Sequence, residues 1–147
     1  MTEPLLITAS EPAALVDAIL EQRTAGKGWI NIVPEIPPEV PLPATPGPLA
    51  VFSKRGPVVP MATIMTARHR DPAQLGIQHG AASQVLERLG PLPEGWRKLQ
   101  DNAKRGLVIA LAPDTSAGLL AEWTLSALAT LCIPPRTARF AVFRFDT

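Results

Sequence analysis

The stretch Asp71–Gly90, DPAQLGIQHGAASQVLERLG, decides the fold of this chain. An Asp-Pro pair is a good N-cap and first helical residue, and on a wheel of about 100° per residue Leu75, Ala82, Leu86 and Leu89 share one face with His79 among them. The spacing therefore predicts a helix from Pro72 to Leu89. Gly76 and Gly80 weaken its first half, so a start near Gly80 is the alternative.

Working outward, Ser10 is placed to cap a first helix whose apolar residues Leu15, Val16, Ile19 and Leu20 lie together and whose end is marked by Gly26 and Gly28. WINIV (29–33), LAVFS (49–53) and VVPMATIMT (58–66) read as strands of a meander, with KRGP as a turn. Pro60 cannot donate to a ladder, which predicts an edge strand or a bulge there. WRKLQ and GLVIALA form a hairpin around DNAKR, Asp114 is placed to cap a third helix to about Leu131, and RFAVFRF closes the chain as a strand. The order is α-β-β-β-α-β-β-α-β in a single domain, residues 1–147. The fold class is α+β, a mainly antiparallel sheet of about six strands with three helices packed on it. Gly28-Trp29 and Gly95-Trp96 each follow a helix and open a strand, a weak echo of two α-β-β halves.

Composition narrows the function. The 147 residues are 46% hydrophobic and 18% charged, which excludes a disordered chain, and a net charge of +1 supplies no whole-molecule attraction to nucleic acid or anionic membrane. Cys132 is the sole cysteine, so neither an internal disulfide nor a thiolate metal cage is available; a cytoplasmic location fits. Glu3 stands where a signal peptide needs basic residues. The longest apolar run, AGLLAEWTLSALATLCI, is interrupted by Glu122 and is shorter than the roughly 20 residues a membrane span needs.

Pro34–Pro48, PEIPPEVPLPATPGP, is excluded from helix and from sheet interior by its seven prolines. Its charges, Glu35 and Glu39, are acidic where a PxxP ligand of SH3 type wants a basic flank. A stiff loop across the sheet surface is the expectation, with a lid as the alternative.

Signatures of chemistry are sparse. HRD in Arg68–Asp71 lacks the rest of a kinase catalytic loop. His69, Asp71 and His79 have no metal-ligand spacing, and neither a nucleophile elbow nor a P-loop is present. No catalytic residue, metal or cofactor is assigned. His79 reads either as a core histidine with hydrogen-bonded ring nitrogens or as a pocket residue beside Gly76, Gly80 and Ser83. Arg55, Asp101 and Arg105 are the polar residues that would join it as ligand contacts. WRKLQDNAKRG joins basic residues to Trp96, but a neutral net charge and one aromatic argue against nucleic acid.

In the third helix Leu120, Trp123, Leu125, Ala127, Leu128, Leu131 and Cys132 span roughly 200° of arc, about twice what one buried side requires. The helix is expected to be buried on two sides, either at the centre of the monomer or against a second subunit. A homodimer makes Leu119, Trp123, Leu125 and Leu128 the interface candidates.

RGPVVPMATIM, QHGAASQVLERLG and GWRKLQDNAKRGLVIALAP resemble segments of small actinobacterial α+β proteins, a resemblance that brings no activity with it. The element order is similar to that of type III secretion chaperone-like domains, which implies a dimer that binds other polypeptides. The sequence thus points to a non-enzymatic intracellular protein-interaction module, homodimeric and chaperone- or adaptor-like. The competing reading is a small-molecule binder or enzyme with a pocket near His79 beneath the proline-rich loop.

Overall fold

Alternation at Leu75 and Ile77 outweighs the helical spacing of the stretch around them. In the computed structural model, which describes residues 3–41, 59–67, 72–81, 84–103 and 105–146, Gln74–Gln78 is a strand, and only Leu86–Leu89 coils, as a single 3-10 turn. The helix expected from Pro72 to Leu89 is therefore absent. A glycine inside a helix costs about 1 kcal/mol relative to alanine, and Gly76 and Gly80 both fall in its first half. A strand instead sends Leu75 and Ile77, 0% and 1% exposed, to the same covered face.

The described residues form seven strands and two helices, in place of about six strands and three helices. In chain order they are β1 (Leu5–Thr8), α1 (Ala13–Ala25), β2 (Trp29–Pro34), β3 (Met61–Met65), β4 (Gln74–Gln78), β5 (Arg97–Asn102), β6 (Gly106–Ala110), α2 (Ala117–Leu131) and β7 (Arg139–Phe145). All pairings are antiparallel, in the spatial order β1-β7-β2-β3-β4-β6-β5. The class remains α+β, but the element order that suggested a secretion-chaperone likeness is not the observed one. The echo of two α-β-β halves also fails for want of its second helix. What survives of it is local: Gly28 and Gly95 both have positive φ, 86° and 83°.

β1 was not expected from the sequence. Its four residues LLIT show no alternation, and the strand exists by pairing with β7, Leu5 opposite Val142 through Thr8 opposite Arg139. β3 lies inside the sheet between β2 and β4, against the expectation of an edge; Pro60 sits one residue ahead of it, outside the ladder. Pro34 ends β2, opposite Phe140 of β7, beyond the residues of β2 that pair with β3. Glu35 then ties the start of the proline-rich stretch to β7: its carboxylate accepts from Arg139 Nη2 at 2.7 Å and from Thr137 Oγ1 at 3.2 Å. LAVFS and residues 42–48 of that stretch lie outside the described residues.

Both helices pack on one side of the sheet and touch each other. α1 turns Leu15, Ala18, Ile19 and Gln22 inward, leaves Leu20 48% exposed, and ends at Gly26 in the left-handed region, φ 69°. Its N-cap position is Pro12 without a side-chain cap, while the expected cap, Ser10, faces the Thr8 hydroxyl at 3.2 Å. α2 is capped by Ser116, whose hydroxyl accepts from the Leu119 amide at 3.1 Å, two residues after the expected Asp114.

The wide apolar arc of α2 is satisfied within the chain. α1 flanks it on one side and the 3-10 turn on another. Trp96 meets Trp123 edge to face, with ring centroids 5.5 Å apart. The core, centred on Phe140, Ile30, Ile32, Leu75, Leu107, Ile109, Leu120 and Leu128, lies between helices and sheet. Among the described residues no helix is long and apolar enough to cross a membrane.

Candidate functional site

His79 leaves the end of β4 into the interior and is 1% exposed, with neither Nδ1 nor Nε2 hydrogen-bonded among the described residues. Burial pushes its pKa below the ordinary value; the Asp101 carboxylate opposes this and the Arg88 guanidinium adds to it. The ring sits in the core and, among the described residues, lacks the hydrogen bonds expected of a core histidine.

Asp101 has a structural task. It points from β5 toward the helix side, and its carboxylate accepts from the amides of Val85, at 3.0 and 3.2 Å, and Leu86, at 3.0 Å. These are donors that open the 3-10 turn, which has no cap of its own. Arg105 is exposed in the β5–β6 turn, where its amide donates to Asn102 Oδ1 at 2.7 Å. The fold brings His79 and Asp101 into electrostatic reach and leaves Arg105 at a hairpin tip; Arg55, like His69 and Asp71, lies outside the described residues. Trp96, the aromatic beside the basic hairpin, is buried, and its indole N–H donates to Thr115 Oγ1 at 2.9 Å. It presents no free ring for a base to stack on. Cys132 is half-buried, with a thiol raised by burial and partly pulled back by Arg136.

Of the interface candidates, Leu125 and Leu128 are sealed in the core, 2% and 0% exposed, whereas Leu119 is 40% exposed and Trp123 half-buried. The other side of the molecule carries apolar side chains as well.

The sheet face turned away from both helices follows from the registers. Trp29, Asn31 and Val33 of β2 align with Met65 and Thr63 of β3 and with Phe145, Phe143 and Ala141 of β7. Met61, Thr63 and Met65 align in turn with Gln78, Gly76 and Gln74 of β4. The outward positions of β2, β3 and β4 carry no charge. Trp29 stacks on Phe145 with centroids 5.0 Å apart and planes 13° from parallel, and the Thr63 hydroxyl donates to Asn31 Oδ1 at 2.8 Å. Most of these residues are half-buried, and Met65 is 41% exposed.

No residue of this face stands out in the sequence as an interface residue, although a signal is present. In WINIV and RFAVFRF apolar side chains occupy both parities, the mark of a strand whose two faces both avoid water. The class these features define is an α+β domain with one helix-covered sheet face and a second face that is aromatic at β2 and β7 and uncharged across β2, β3 and β4, with Arg139 and Arg97 toward its edges. Comparison with protein-family models, curated proteins and solved structures gave no match.

Proposed function

We propose that the chain is a non-enzymatic protein-interaction module that forms a homodimer by packing this sheet face, which no described helix covers, against that of a second copy. The observation that carries the reading is the makeup of the face: Trp29, Phe143, Phe145, Met61, Met65 and Val33 outward, with no charge among the outward positions of β2, β3 and β4. Interface centres are depleted in charge and enriched in aromatic residues and methionine. Two such faces related by a two-fold axis stack as a sandwich about 10 Å thick, burying in the dimer what each monomer leaves half-exposed. A cytoplasmic location belongs to this reading, supported by the lone Cys132. The earlier interface candidates on α2 give way to β2, β3 and β7.

Light scattering coupled to size exclusion tests the reading on the full chain and on Phe143→Lys. A dimer that becomes a folded monomer in the variant is expected. A monomeric wild-type chain, or a dimer indifferent to Phe143→Lys, would overturn it.

A further inference from the structure

We propose that the cavity where the last turn of α1 meets the first turn of α2 is a binding site for a small amphipathic anion, an apolar body ending in one carboxylate. The cavity measures about 330 Å³ and is walled by Ile64, Leu111 and Leu120, with Gln22, Arg23 and Thr66 as its main polar lining. That volume is at the lower end of the roughly 300–1,000 Å³ of ligand pockets, enough for a short acyl or aryl chain.

Its polar groups divide into those already committed and those that are not. The buried Gln22 amide donates to the carbonyls of Gly28 and Ile64, both at 3.0 Å, so it locks α1 to β3 and fixes one wall. The Thr66 hydroxyl is buried without a hydrogen-bond partner among the described residues. A buried polar atom left unpaired is unfavourable, and a turn of the Thr66 side chain toward the cavity would pair it with a ligand oxygen. Arg23 makes no hydrogen bond or ion pair among the described residues, whereas Arg139 and Arg144 are paired with Glu35 and Glu21.

The sign of the ligand follows from Arg23. The C-terminal pole of α1 and the N-terminal pole of α2 carry opposite partial charges and offset each other at the cavity, leaving the guanidinium as the net field. A guanidinium grips a carboxylate through two parallel N–H donors. With a single cation and mostly apolar walls, the site suits one carboxylate on a hydrocarbon better than a polyanionic phosphate.

The test titrates the full chain with octanoate and, as its neutral counterpart, octan-1-ol, followed by ligand-observed NMR and calorimetry. Octanoate should bind saturably and more tightly than octan-1-ol. Arg23→Gln should weaken octanoate by about tenfold and leave octan-1-ol unchanged, since the charge contact alone is removed. Ala67 is exposed at the cavity wall, so Ala67→Phe fills the space without replacing a core residue and should weaken both. Absence of saturable octanoate binding, equal binding of the two probes, or indifference of octanoate to Arg23→Gln or to Ala67→Phe would each overturn the proposal.

Discussion

The Asp101 carboxylate accepts the backbone N–H of Val85 at 3.0 Å, joining an edge strand to a 3-10 turn sixteen residues earlier in the chain. Leu86 donates to the same carboxylate, so one side chain supplies the cap that the turn lacks. Hydrogen bonds to a charged group contribute about 1.5–3 kcal/mol, and removing the acceptor strands two amides. Asp101→Ala should therefore lower unfolding stability by about 2 kcal/mol in urea titration, with Asp101→Asn recovering part of the loss through its remaining carbonyl. Asp101 is not among the residues that line the cavity between α1 and α2, so Asp101→Ala should leave octanoate affinity unchanged at temperatures where the variant is folded.

His79 makes stability depend on pH. Its folded pKa lies below the ordinary 6.5, chiefly because burial disfavours the imidazolium. Above that ordinary value the folded and unfolded chains both hold a neutral ring. As pH falls through about 6.5, the unfolded state takes up a proton that the folded state refuses, so stability declines with acidification until the lowered folded pKa is reached. Asp101 and Arg88 are the charges acting on the ring, and they act in opposite directions. Chemical denaturation between pH 8 and pH 5, a window of about three units around the ordinary histidine value, should show this decline in the wild type and less of it in His79→Leu. Because neither ring nitrogen is hydrogen-bonded, His79→Leu should be at least as stable as the wild type near pH 8, roughly 1.5 units above that ordinary value. A strongly destabilised variant there would show that the ring has a polar partner after all.

Trp96 and Thr115 give a third test. The indole N–H donates to the Thr115 hydroxyl at 2.9 Å, and that hydroxyl donates onward to the Ala112 carbonyl at 2.7 Å, so the ring is held under α2 against Trp123. Trp96→Phe keeps an aromatic ring but deletes the donor and shortens the side chain. It should cost about 1–2 kcal/mol by thermal denaturation, compared with about 3–5 for Trp96→Ala.

Strands with strong patterns were legible in the sequence and the pivot between them was not. WINIV and RFAVFRF announce themselves through β-branched and aromatic residues, and α1 and α2 through length and apolar spacing. In Asp71–Gly90 the alternating signal is only Leu75-Gly76-Ile77. Its strand character comes from Ile64 and Ile109 on either side, which are distant in sequence. β1 likewise depends on its partner β7. For the site, His79 was placed on the apolar face of a helix that does not form, and it is buried instead because it continues the inward alternation of Leu75 and Ile77; Asp101 as a cap was not readable, because its donors lie on another element. The aromatic face was present in the sequence as a missing alternation.

Two glycines at the end of α1 separate backbone strain from lack of space. Gly26 has φ 69° with nothing within 4 Å of where a Cβ would stand, so Gly26→Ala meets only the left-handed penalty, about 1 kcal/mol. Gly28 has φ 86°, and there a Cβ would run into the backbone carbonyl oxygen of Phe145, an atom held in the β2–β7 ladder that cannot swing aside. Gly28→Ala must therefore either break the end of that ladder or push β7 away from β2. The Gly28 carbonyl also receives the Gln22 amide, so the same displacement loosens the wall of the cavity. A loss of about 3 kcal/mol is expected, well above the Gly26→Ala value. It should be accompanied by a change in the near-ultraviolet dichroism of Trp29, whose ring stacks on Phe145 at 5.0 Å and would lose that packing. Equal losses for the two variants, with an unchanged aromatic spectrum, would mean that β7 does not approach Gly28 as closely as this packing requires.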